Sequence, residues 1–256
     1  MASARSWASW PGRCFGEILD LVYPSRCAAC HRACESGQRF CGTCAAGLNE
    51  LAAQSRCDHC AVPTAQSLGH CPYCQGRGIY PFRRVVSLGK FASPLRDMIH
   101  RMKYHGRWDL AEALADRMWD CSAVREVLAW SECLVPVPLH WARQIERGFD
   151  QSDIITRRLG RRAGIKSRAA AMRIRATGTQ TGLGAEWKRR ENVRGAFALT
   201  HANWIRGRRI TIVDDVLTTG ATARSLAAAV RQGEPAAISL LVVAVADPRR
   251  TEFETI

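Results

Sequence analysis

The stretch RITIVDDVLTTGAT, residues 209–222, determines how the rest of the sequence is interpreted. An apolar run leads into two adjacent acids, Asp214 and Asp215, and a turn of small residues follows at once. Such a short apolar run bounded by turn residues is typical of a buried strand. Carboxylates at the end of a buried strand must meet a ligand, a metal ion or solvent, because an unpaired buried charge is costly. We therefore expect a binding site at this point.

Strands and helices alternate along the chain from about residue 83. Strands are predicted at residues 84–91, 132–139, 210–217 and 237–246. Helices are predicted from Ser93 to a break at Gly106, and over residues 110–118, 150–160 and 221–231. Pro136 and Pro138 place the second strand at a sheet edge or at the point where its pairing stops. Continuous apolar strands between helices predict an α/β fold, with a mostly parallel sheet covered by helices on both faces.

The predicted sheet also indicates where a ligand would bind. In open parallel sheets, ligands bind beyond the carboxyl ends of the strands, where the following loops converge. Two loops therefore matter for function, namely residues 138–151 and residues 214–222.

The cysteines form a duplicated pattern in the first third of the chain. Two C-x-x-C pairs separated by ten residues recur after a constant offset of 30 residues, at Cys27, Cys30, Cys41, Cys44 and then Cys57, Cys60, Cys71, Cys74. Each pair presents two thiolates from a tight turn, and two pairs complete a tetrahedral site. The spacing predicts a double zinc ribbon, with structural Zn²⁺ that folds a module too small for its own core. Reduced structural thiols and an iron–sulfur cluster are the alternatives.

Other cysteines and histidines lie outside this register. Cys34 and His31 fall inside the first excursion, and the duplicated spacing argues against them as ligands. The remaining candidates are interpreted as core or surface residues rather than as ligands or redox groups, namely Cys14, Cys121, Cys133, His59 and His70.

Charge and hydropathy narrow the class of protein. The net charge is +14, and residues 83–256 carry +12 of it, which favours polyanionic partners such as nucleic acid or phosphorylated metabolites. Genomic base composition is the alternative explanation for the many arginines.

The N-terminus lacks the pattern of a secretory signal, and the longest apolar run, residues 240–246, is too short to span a bilayer. We expect a soluble cytoplasmic protein.

The stretch 209–222 resembles the ribose-phosphate signature of type I phosphoribosyltransferases. That signature joins an apolar strand, two acids and a Thr-Thr-Gly turn that leads into a helix. The backbone N–H groups of such a turn form a nest for a 5′-phosphate, here at Thr218, Thr219, Gly220, Ala221 and Thr222. The resemblance implies that Asp214 and Asp215, the catalytic candidates, accept hydrogen bonds from the ribose hydroxyls beside a Mg²⁺-bound pyrophosphate. A helix cap after an exposed acid pair is the alternative.

A wider resemblance is to the ComF/GntX family, which joins a double zinc ribbon to a phosphoribosyltransferase domain. The segments that carry it run in order through the duplicated cysteines, residues 103–106, 135–140, 143–151, 180–183, 189–197 and the signature itself. The resemblance implies an N-terminal segment at 1–24, a double zinc ribbon at 25–82 and a type I phosphoribosyltransferase-like domain at 83–248. It covers most of residues 27–246.

The resemblance and the spacing together give candidate anion-binding residues. Arg143 and Arg147 are candidates for pyrophosphate, because guanidinium groups match phosphate oxygens, and solvated helix-face arginines are the alternative. Lys103 is a third candidate, with a surface lysine as the alternative. The departures from the family, Asp150 in place of Asn and Trp141 and Ala142 in place of bases, predict weaker anion binding.

Residues 177–190 and the functional class complete the sequence predictions. This polar, Gly-containing segment is interpreted as a hood that excludes water from the site, or else as a simple disordered connection.

One hypothesis for the function is phosphoribosyl transfer from phosphoribosyl pyrophosphate with Mg²⁺ to an unknown acceptor. The other is a non-catalytic single-stranded-DNA-binding protein that uses the site as a grip or sensor, with Trp187 and Trp204 as aromatic contacts or as core anchors. The resemblance implies a role in DNA uptake during natural transformation, with single-stranded DNA and a competence helicase as partners.

Overall fold

The computed structural model describes residues 25–64, 71–175 and 195–246 of the chain. Its strands are β1 (Val85–Lys90), β2 (Cys133–Pro136), β3 (Lys166–Ser167), β4 (Ala171–Arg173), β5 (Phe197–Leu199), β6 (Arg209–Leu217) and β7 (Ala237–Val245). Five of them form one sheet in the order β1-β7-β6-β2-β3, and every neighbouring pair in it is parallel. The other two, β4 and β5, form an antiparallel pair.

The helices are α1 (Gly42–Ala53), α2 (Leu95–Tyr104), α3 (Asp109–Asp120), α4 (Ser122–Trp130), α5 (Trp141–Arg147), α6 (Gln151–Ala163), α7 (Ala202–Ile205) and α8 (Ala221–Arg231). Each helix of nine or more residues carries buried apolar side chains that pack in the protein interior, whereas α5 has no buried residue. No helix in the described part of the chain is long and apolar enough to cross a membrane.

Helices cover the sheet on both faces. On one face, α2, α3, α4 and α6 enclose a core that includes Val213 and Leu241. On the other face, α8 and α7 pack over a second core that includes Ile212 and Val242. Adjacent residues of one strand therefore point into different cores, which explains why the strands are continuously apolar. The predicted mostly parallel sheet with helices on both faces is confirmed.

The two cysteine ribbons lie in different cores. Cys27 and Leu48 of the first ribbon pack with the helices on one face of the sheet. Cys60 and Val62 of the second ribbon pack with Val85 on the other face. The ribbons therefore contribute apolar surface to the sheet domain and do not form a core of their own.

The duplication predicted from cysteine spacing is also present in the backbone. Isolated bridges join Arg26 to Ala33 in the first ribbon and Arg56 to Pro63 in the second. Both bridge positions shift by the same offset as the cysteines.

The first ribbon also covers the free edge of the sheet. Helix α1 packs on the edge strand β1, and a Cβ added to Gly89 would lie 3.3 Å from the backbone oxygen of Leu51. A larger residue at this position would require α1 to shift slightly. The guanidinium of Arg56 donates hydrogen bonds to the backbone oxygens of Ser87 in β1 and Ala52 in α1. Covering an edge strand in this way blocks pairing with other chains.

Strand β2 is shorter than predicted. It spans Cys133–Pro136, whereas the sequence predicted residues 132–139. Its neighbour β3 pairs only with Cys133 and Leu134, so pairing on that side stops before Pro136. Proline has no backbone N–H to donate, which accounts for the early end of the ladder.

Helices α1, α4, α5 and the short α7 were not predicted. Helix α4 shows the expected apolar spacing at Val124, Val127 and Leu128, so its signal was present in the sequence. Helix α5 has no buried residue, and so gives no amphipathic pattern to detect. The helix predicted over 150–160 begins one residue later, because Asp150 is its N-cap, and ends at the left-handed Gly164.

Several predictions fall outside the described residues. They concern the segment 1–24 with Cys14, His70, and the hood at 177–190 with Trp187.

Candidate functional site

Two clusters of four cysteines are brought together as the spacing predicted. One contains Cys27, Cys30, Cys41 and Cys44, the other Cys57, Cys60, Cys71 and Cys74, and the sulfur atoms of each lie within 4.8 Å of one another. Cys30 and Cys41 Sγ are 3.6 Å apart, Cys57 and Cys74 Sγ 3.5 Å, and Cys60 and Cys71 Sγ 3.7 Å. A tetrahedral ion with Zn–S bonds of about 2.3 Å needs sulfur atoms about 3.8 Å apart. The clusters therefore fit structural zinc, with no position left for a substrate.

Among the residues that the structure describes, the cysteines outside this register are not part of either cluster. Cys34 Sγ donates to the backbone oxygens of Gln38 at 3.2 Å and Ser25 at 3.4 Å. Cys133 is buried in β2, and burial raises its pKa to about 11, so its thiol stays protonated and unreactive at neutral pH. Trp204 packs at the border of the second core, as the core-anchor interpretation expected.

The two adjacent acids lie inside β6, near its carboxyl end, and Asp215 is held by two side chains from other helices. Lys103 Nζ, at the end of α2, lies 3.1 Å from Asp215 Oδ1. Gln151 Nε2, at the start of α6, donates to Asp215 Oδ2 at 2.8 Å. Asp215 is only 5% exposed, so its charge is balanced inside the protein rather than by water.

Asp214 lies in a different environment. Its Oδ1 accepts the backbone N–H of Asp215 at 2.8 Å and the Ser152 hydroxyl at 3.3 Å. Burial raises the pKa of Asp214 to about 7, and the neighbouring negative charge of Asp215 adds to that shift. Two adjacent carboxyl groups with such different surroundings are typical of functional sites.

The turn after β6 leads directly into helix α8. Gly220 has a φ of 72°, in the left-handed region, and caps α8 without any side-chain hydrogen bond. Arg224 Nη2 donates to the backbone oxygen of Thr219 at 2.8 Å, and a Cβ added to Gly220 would lie 2.9 Å from Arg224 Nη1. The left-handed backbone therefore favours glycine, and a larger residue would also displace the end of the Arg224 side chain. The start of α8 follows the two acids closely in the chain, and the backbone N–H groups at a helix N-terminus can bind an anion.

Arg147 is connected to the acids through one intermediate side chain. Its Nη1 donates to Gln151 Oε1 at 3.3 Å, and the same amide group donates to Asp215. The Arg147 guanidinium also lies over the exposed ring of Tyr104, 5.5 Å from its centroid. Arg147 therefore lies at the rim of the site, between α5 and α2.

Arg143 is related to the site through the electrostatics of Arg173 in β4. Burial lowers the pKa of Arg173, the nearby Arg143 cation lowers it further, and Asp214 raises it. Arg143 and Asp214 therefore lie within electrostatic reach of the same guanidinium. Arg173 was not a candidate in the sequence, because nothing in the spacing connects β4 with β6.

Asp150 fastens the loop that carries the arginines. Its Oδ2 accepts the backbone N–H of Leu139 at 2.9 Å, and its Oδ1 accepts that of Asp153 at 3.2 Å. The sequence predicted that this carboxylate would weaken anion binding. In the structure both of its oxygens accept hydrogen bonds from backbone N–H groups. These bonds connect the loop after β2 to the start of α6.

The structure therefore places most of the candidates together. Lys103 contacts Asp215 directly, Arg147 reaches it through Gln151, and the turn 218–222 follows the acids in the chain. Sequence reasoning missed the side chains that hold these groups, namely Gln151, Ser152, Arg173 and Arg224. The Gln151-Ser152 pair at the start of a predicted helix in the 138–151 loop region was the one available signal.

Comparison with known proteins adds the family. The double zinc ribbon domain family matches residues 18–75. Competence protein F of Haemophilus influenzae is 30% identical over 75% of this chain and 85% of its own length. The DNA utilization protein YhgH of Escherichia coli is 31% identical over 86% of this chain and 96% of its own length.

Solved structures of phosphoribosyl enzymes resemble the chain more distantly. The glutamine phosphoribosylpyrophosphate amidotransferase of B. subtilis aligns over 54% of this chain and 26% of its own, with 18% identity and a TM-score of 0.34. A hypoxanthine phosphoribosyl transferase of Trypanosoma cruzi aligns over 58% and 69%, with 14% identity and a TM-score of 0.32. With the cysteine ribbons and the two named relatives, the chain belongs to the ComF family, which includes competence protein F and the DNA utilization protein YhgH.

Proposed function

We propose that the protein binds phosphoribosyl pyrophosphate with Mg²⁺ at the carboxyl end of β6. The observation that carries this proposal is the acid pair before the Gly220 turn, in which Lys103 and Gln151 hold Asp215 and Ser152 donates to Asp214. A ribose phosphate needs hydrogen-bond acceptors for its hydroxyls and hydrogen-bond donors for its phosphate. Here the acids would be the acceptors, and the backbone N–H groups of the turn that follows them would be the donors. The sequence resemblance to the type I signature supports the same ligand.

The 5′-phosphate would bind in the turn of residues 218–222. Gly220 adopts a left-handed conformation at the start of α8, where the first backbone N–H groups of a helix have no intrahelical acceptor. A helix of eleven residues adds a favourable dipole for an anion at this end. Arg224 stabilises the turn by donating a hydrogen bond to the backbone oxygen of Thr219.

The pyrophosphate would lie toward the three candidate cations, of which Lys103 contacts Asp215. Arg147 and Arg143 approach from α5, and Lys103 from the end of α2. Guanidinium groups bind phosphate oxygens in a bidentate manner, which suits a departing pyrophosphate. Mg²⁺ would accompany the pyrophosphate beside the acids, and its charge would help to stabilise the leaving group.

A transfer reaction at this site would exchange one bond at the ribose C1. The bond from C1 to the pyrophosphate oxygen breaks, the pyrophosphate leaves with the electron pair, and an acceptor nucleophile forms a new bond to C1. The ribose carbon passes through a cationic state, so positioning and charge stabilisation are the main contributions of the protein. The acceptor is unknown. Catalysis predicts slow release of pyrophosphate that depends on Asp214 and Asp215.

Thermal unfolding in the presence of the ligand and of its two halves tests this assignment. Phosphoribosyl pyrophosphate with Mg²⁺ should raise the melting temperature, as any ligand specific for the folded state does. Ribose 5-phosphate should lose its effect in Gly220→Ala, whereas pyrophosphate should lose its effect in the Arg143→Ala, Arg147→Ala double variant. A melting temperature unchanged by all three ligands in the parent protein would refute the proposal.

A second candidate function, single-stranded DNA binding without transfer, is favoured by helix α5. Trp141 and Ile145 are 65% and 75% exposed, one helical turn apart, on the helix that also carries Arg143 and Arg147. Exposed aromatic rings beside arginines bind single strands by stacking and by phosphate contacts. In this case the sugar-phosphate site serves as a grip or sensor for the strand.

Salt dependence separates the two candidates. DNA binding through phosphates weakens steeply as salt rises, and each arginine that is lost should lower the slope by about 1. Trp141→Ala should cost roughly 1–3 kcal/mol of binding if a base stacks on it. Binding that is independent of salt and of Trp141 would exclude this use of α5.

The cellular role we propose follows the named relatives. Competence protein F and the DNA utilization protein YhgH associate the family with DNA uptake and use. We propose that the protein acts in the cytoplasm during natural transformation, with single-stranded DNA and a competence helicase as partners. Loss of transformation in a deletion strain, restored by the parent gene and not by the Asp214→Asn, Asp215→Asn variant, would support this role.

A further inference from the structure

The first zinc ribbon reaches the candidate site through one hydrogen bond between side chains. Arg107 Nη1 donates to His31 Nε2 at 2.7 Å. The other nitrogens of the same guanidinium, Nε and Nη2, donate to the two carboxylate oxygens of Asp109, each at 2.7 Å. His31 directly follows the zinc-ribbon ligand Cys30, and Arg107 lies in the turn between α2 and α3. The contact therefore joins the ribbon to the end of α2.

The imidazole of His31 is not needed by the ribbon itself. His31 has a φ of 63°, and Ala61, the equivalent residue of the second ribbon, has a φ of 59°. Gln75, which follows the last C-x-x-C pair, also has a positive φ, of 49°. The chain thus contains alanine and glutamine in the same left-handed position after a cysteine pair. Histidine at position 31 must have another reason, and the contact with Arg107 supplies one.

The turn held by His31 leads directly to the cation of the site. Helix α2 ends at Tyr104, and Lys103 in its last turn lies 3.1 Å from Asp215. Met98 and Met102 of α2 share a core with Cys27 and Leu48 of the first ribbon. The ribbon therefore shares a core with α2 and also contacts the turn after its end.

The second ribbon has no corresponding link in the described residues. Its buried residues, Cys60 and Val62, pack in the other core with Phe82 and Val85, where β1 begins. The site lies at the opposite, carboxyl ends of the parallel strands. The two duplicated ribbons therefore differ in their relation to the site, although their cysteine clusters are alike.

We propose that His31 and Arg107 are positioning residues through which the first zinc ribbon holds Lys103 against Asp215. The ribbon is then part of the support of the candidate site, in addition to its role in folding. The predicted effect on ligand affinity rests on the proposed function. The predicted effect on the order of the turn between α2 and α3 rests on the fold alone.

Two variants with precedents in the chain test the inference. His31→Ala should weaken the affinity for phosphoribosyl pyrophosphate with Mg²⁺ about fivefold, a coupling within the usual range for residues outside a site. His31→Gln, which keeps an acceptor for Arg107, should restore most of it. Arg32→Ala, an exposed neighbour in the same ribbon, is the matched control and should bind like the parent.

A double-mutant cycle shows whether His31 acts through Lys103. In a Lys103→Met background, His31→Ala should cause less than a twofold further loss, because the group that it positions is gone. A full fivefold loss in that background would overturn the inference. Arg107→Gln, which leaves the ribbon untouched, should reproduce the effect of His31→Ala, and parent-like affinity in Arg107→Gln would also overturn it.

Amide hydrogen exchange provides a readout that needs no ligand. The backbone N–H groups of His105, Trp108 and Leu110 donate hydrogen bonds within and beside the turn. They should exchange about tenfold faster in His31→Ala and at the parent rate in Arg32→Ala. If the parent protein binds no phosphoribosyl pyrophosphate, the proposed function fails and exchange alone decides the inference. Unchanged exchange in His31→Ala would refute it.

Discussion

Lys103 Nζ lies 3.1 Å from Asp215 Oδ1, and the two side chains come from the end of one helix and from the central region of the sheet. Their side chains are 22% and 7% exposed, so the pair is largely withdrawn from water. Asp215 is thereby held in place beside Asp214. The relationship connects α2, the first ribbon that packs on it, and the signature strand β6 in one site.

Removal of the cation should leave Asp215 with Gln151 as its only described side-chain donor. Lys103→Met should lower the free energy of unfolding by about 2 kcal/mol, less than a fully buried pair would lose, because water reaches the lysine side. Urea unfolding measures the change. Lys166→Met, on the exposed strand β3, should change stability by less than about 0.5 kcal/mol. Equal effects of the two variants would show that the pair contributes nothing.

The raised pKa of Asp214, about 7, predicts how the stability of the ligand-free protein depends on pH. Between the unfolded value near pH 4 and the folded value near pH 7, the folded state binds more protons than the unfolded state. The free energy of unfolding should therefore fall as pH rises through this window. Asp214→Asn should remove that part of the dependence and stabilise the protein at pH 8 by about 1 kcal/mol or more. A parallel pH profile for the variant would contradict this prediction.

Zinc content should distinguish the ligand cysteines from their neighbour Cys34. The parent protein should hold two zinc ions, one for each four-cysteine cluster. Cys41→Ser should hold one, because three thiolates bind zinc much more weakly than four. Cys34→Ser should still hold two, since Cys34 Sγ bonds to backbone oxygens instead. Native mass spectrometry counts the ions, and loss of one ion in Cys34→Ser would revise the ligand set.

A methyl group at Gly220 should disturb the turn more than the same change at another left-handed glycine. Gly220 and Gly207 have φ values of 72° and 67°, but only at Gly220 does an added Cβ meet a neighbour within 4 Å. Both alanine variants should lose about 1 kcal/mol through backbone strain. Gly220→Ala should in addition bind ribose 5-phosphate at least tenfold more weakly. Equal binding by both variants would remove the turn from the site.

Local patterns in the sequence predicted the fold class and part of the site. The duplicated cysteines, each apolar strand and the acid pair with its Thr-Thr-Gly turn are each encoded in a continuous segment of the chain. Each pattern has a physical requirement that one segment can display alone. The ribbon clusters and the strand that carries Asp214 were therefore predicted with nearly correct bounds.

The remaining part of the site depends on contacts between distant segments. Gln151 reaches Asp215 across 64 positions of the chain, and Arg107 reaches His31 across 76. Neither contact has a periodicity that a single sequence reveals. Helix α5 went unpredicted for a related reason, since a helix without a buried face has no apolar stripe. Asp150 was interpreted as a loop carboxylate because its backbone partners, such as Leu139, are visible only in the fold.

Calorimetric titration of the zinc-loaded protein with phosphoribosyl pyrophosphate and Mg²⁺ tests the central claim most directly. The Asp214→Asn, Asp215→Asn double variant is titrated beside the parent, after its zinc content and melting profile have been shown to match. Saturable heat in the parent with one ligand per chain, and none in the double variant, is the predicted result. Absence of heat in the parent, or the same heat in both proteins, would contradict a phosphoribosyl pyrophosphate site at the end of β6.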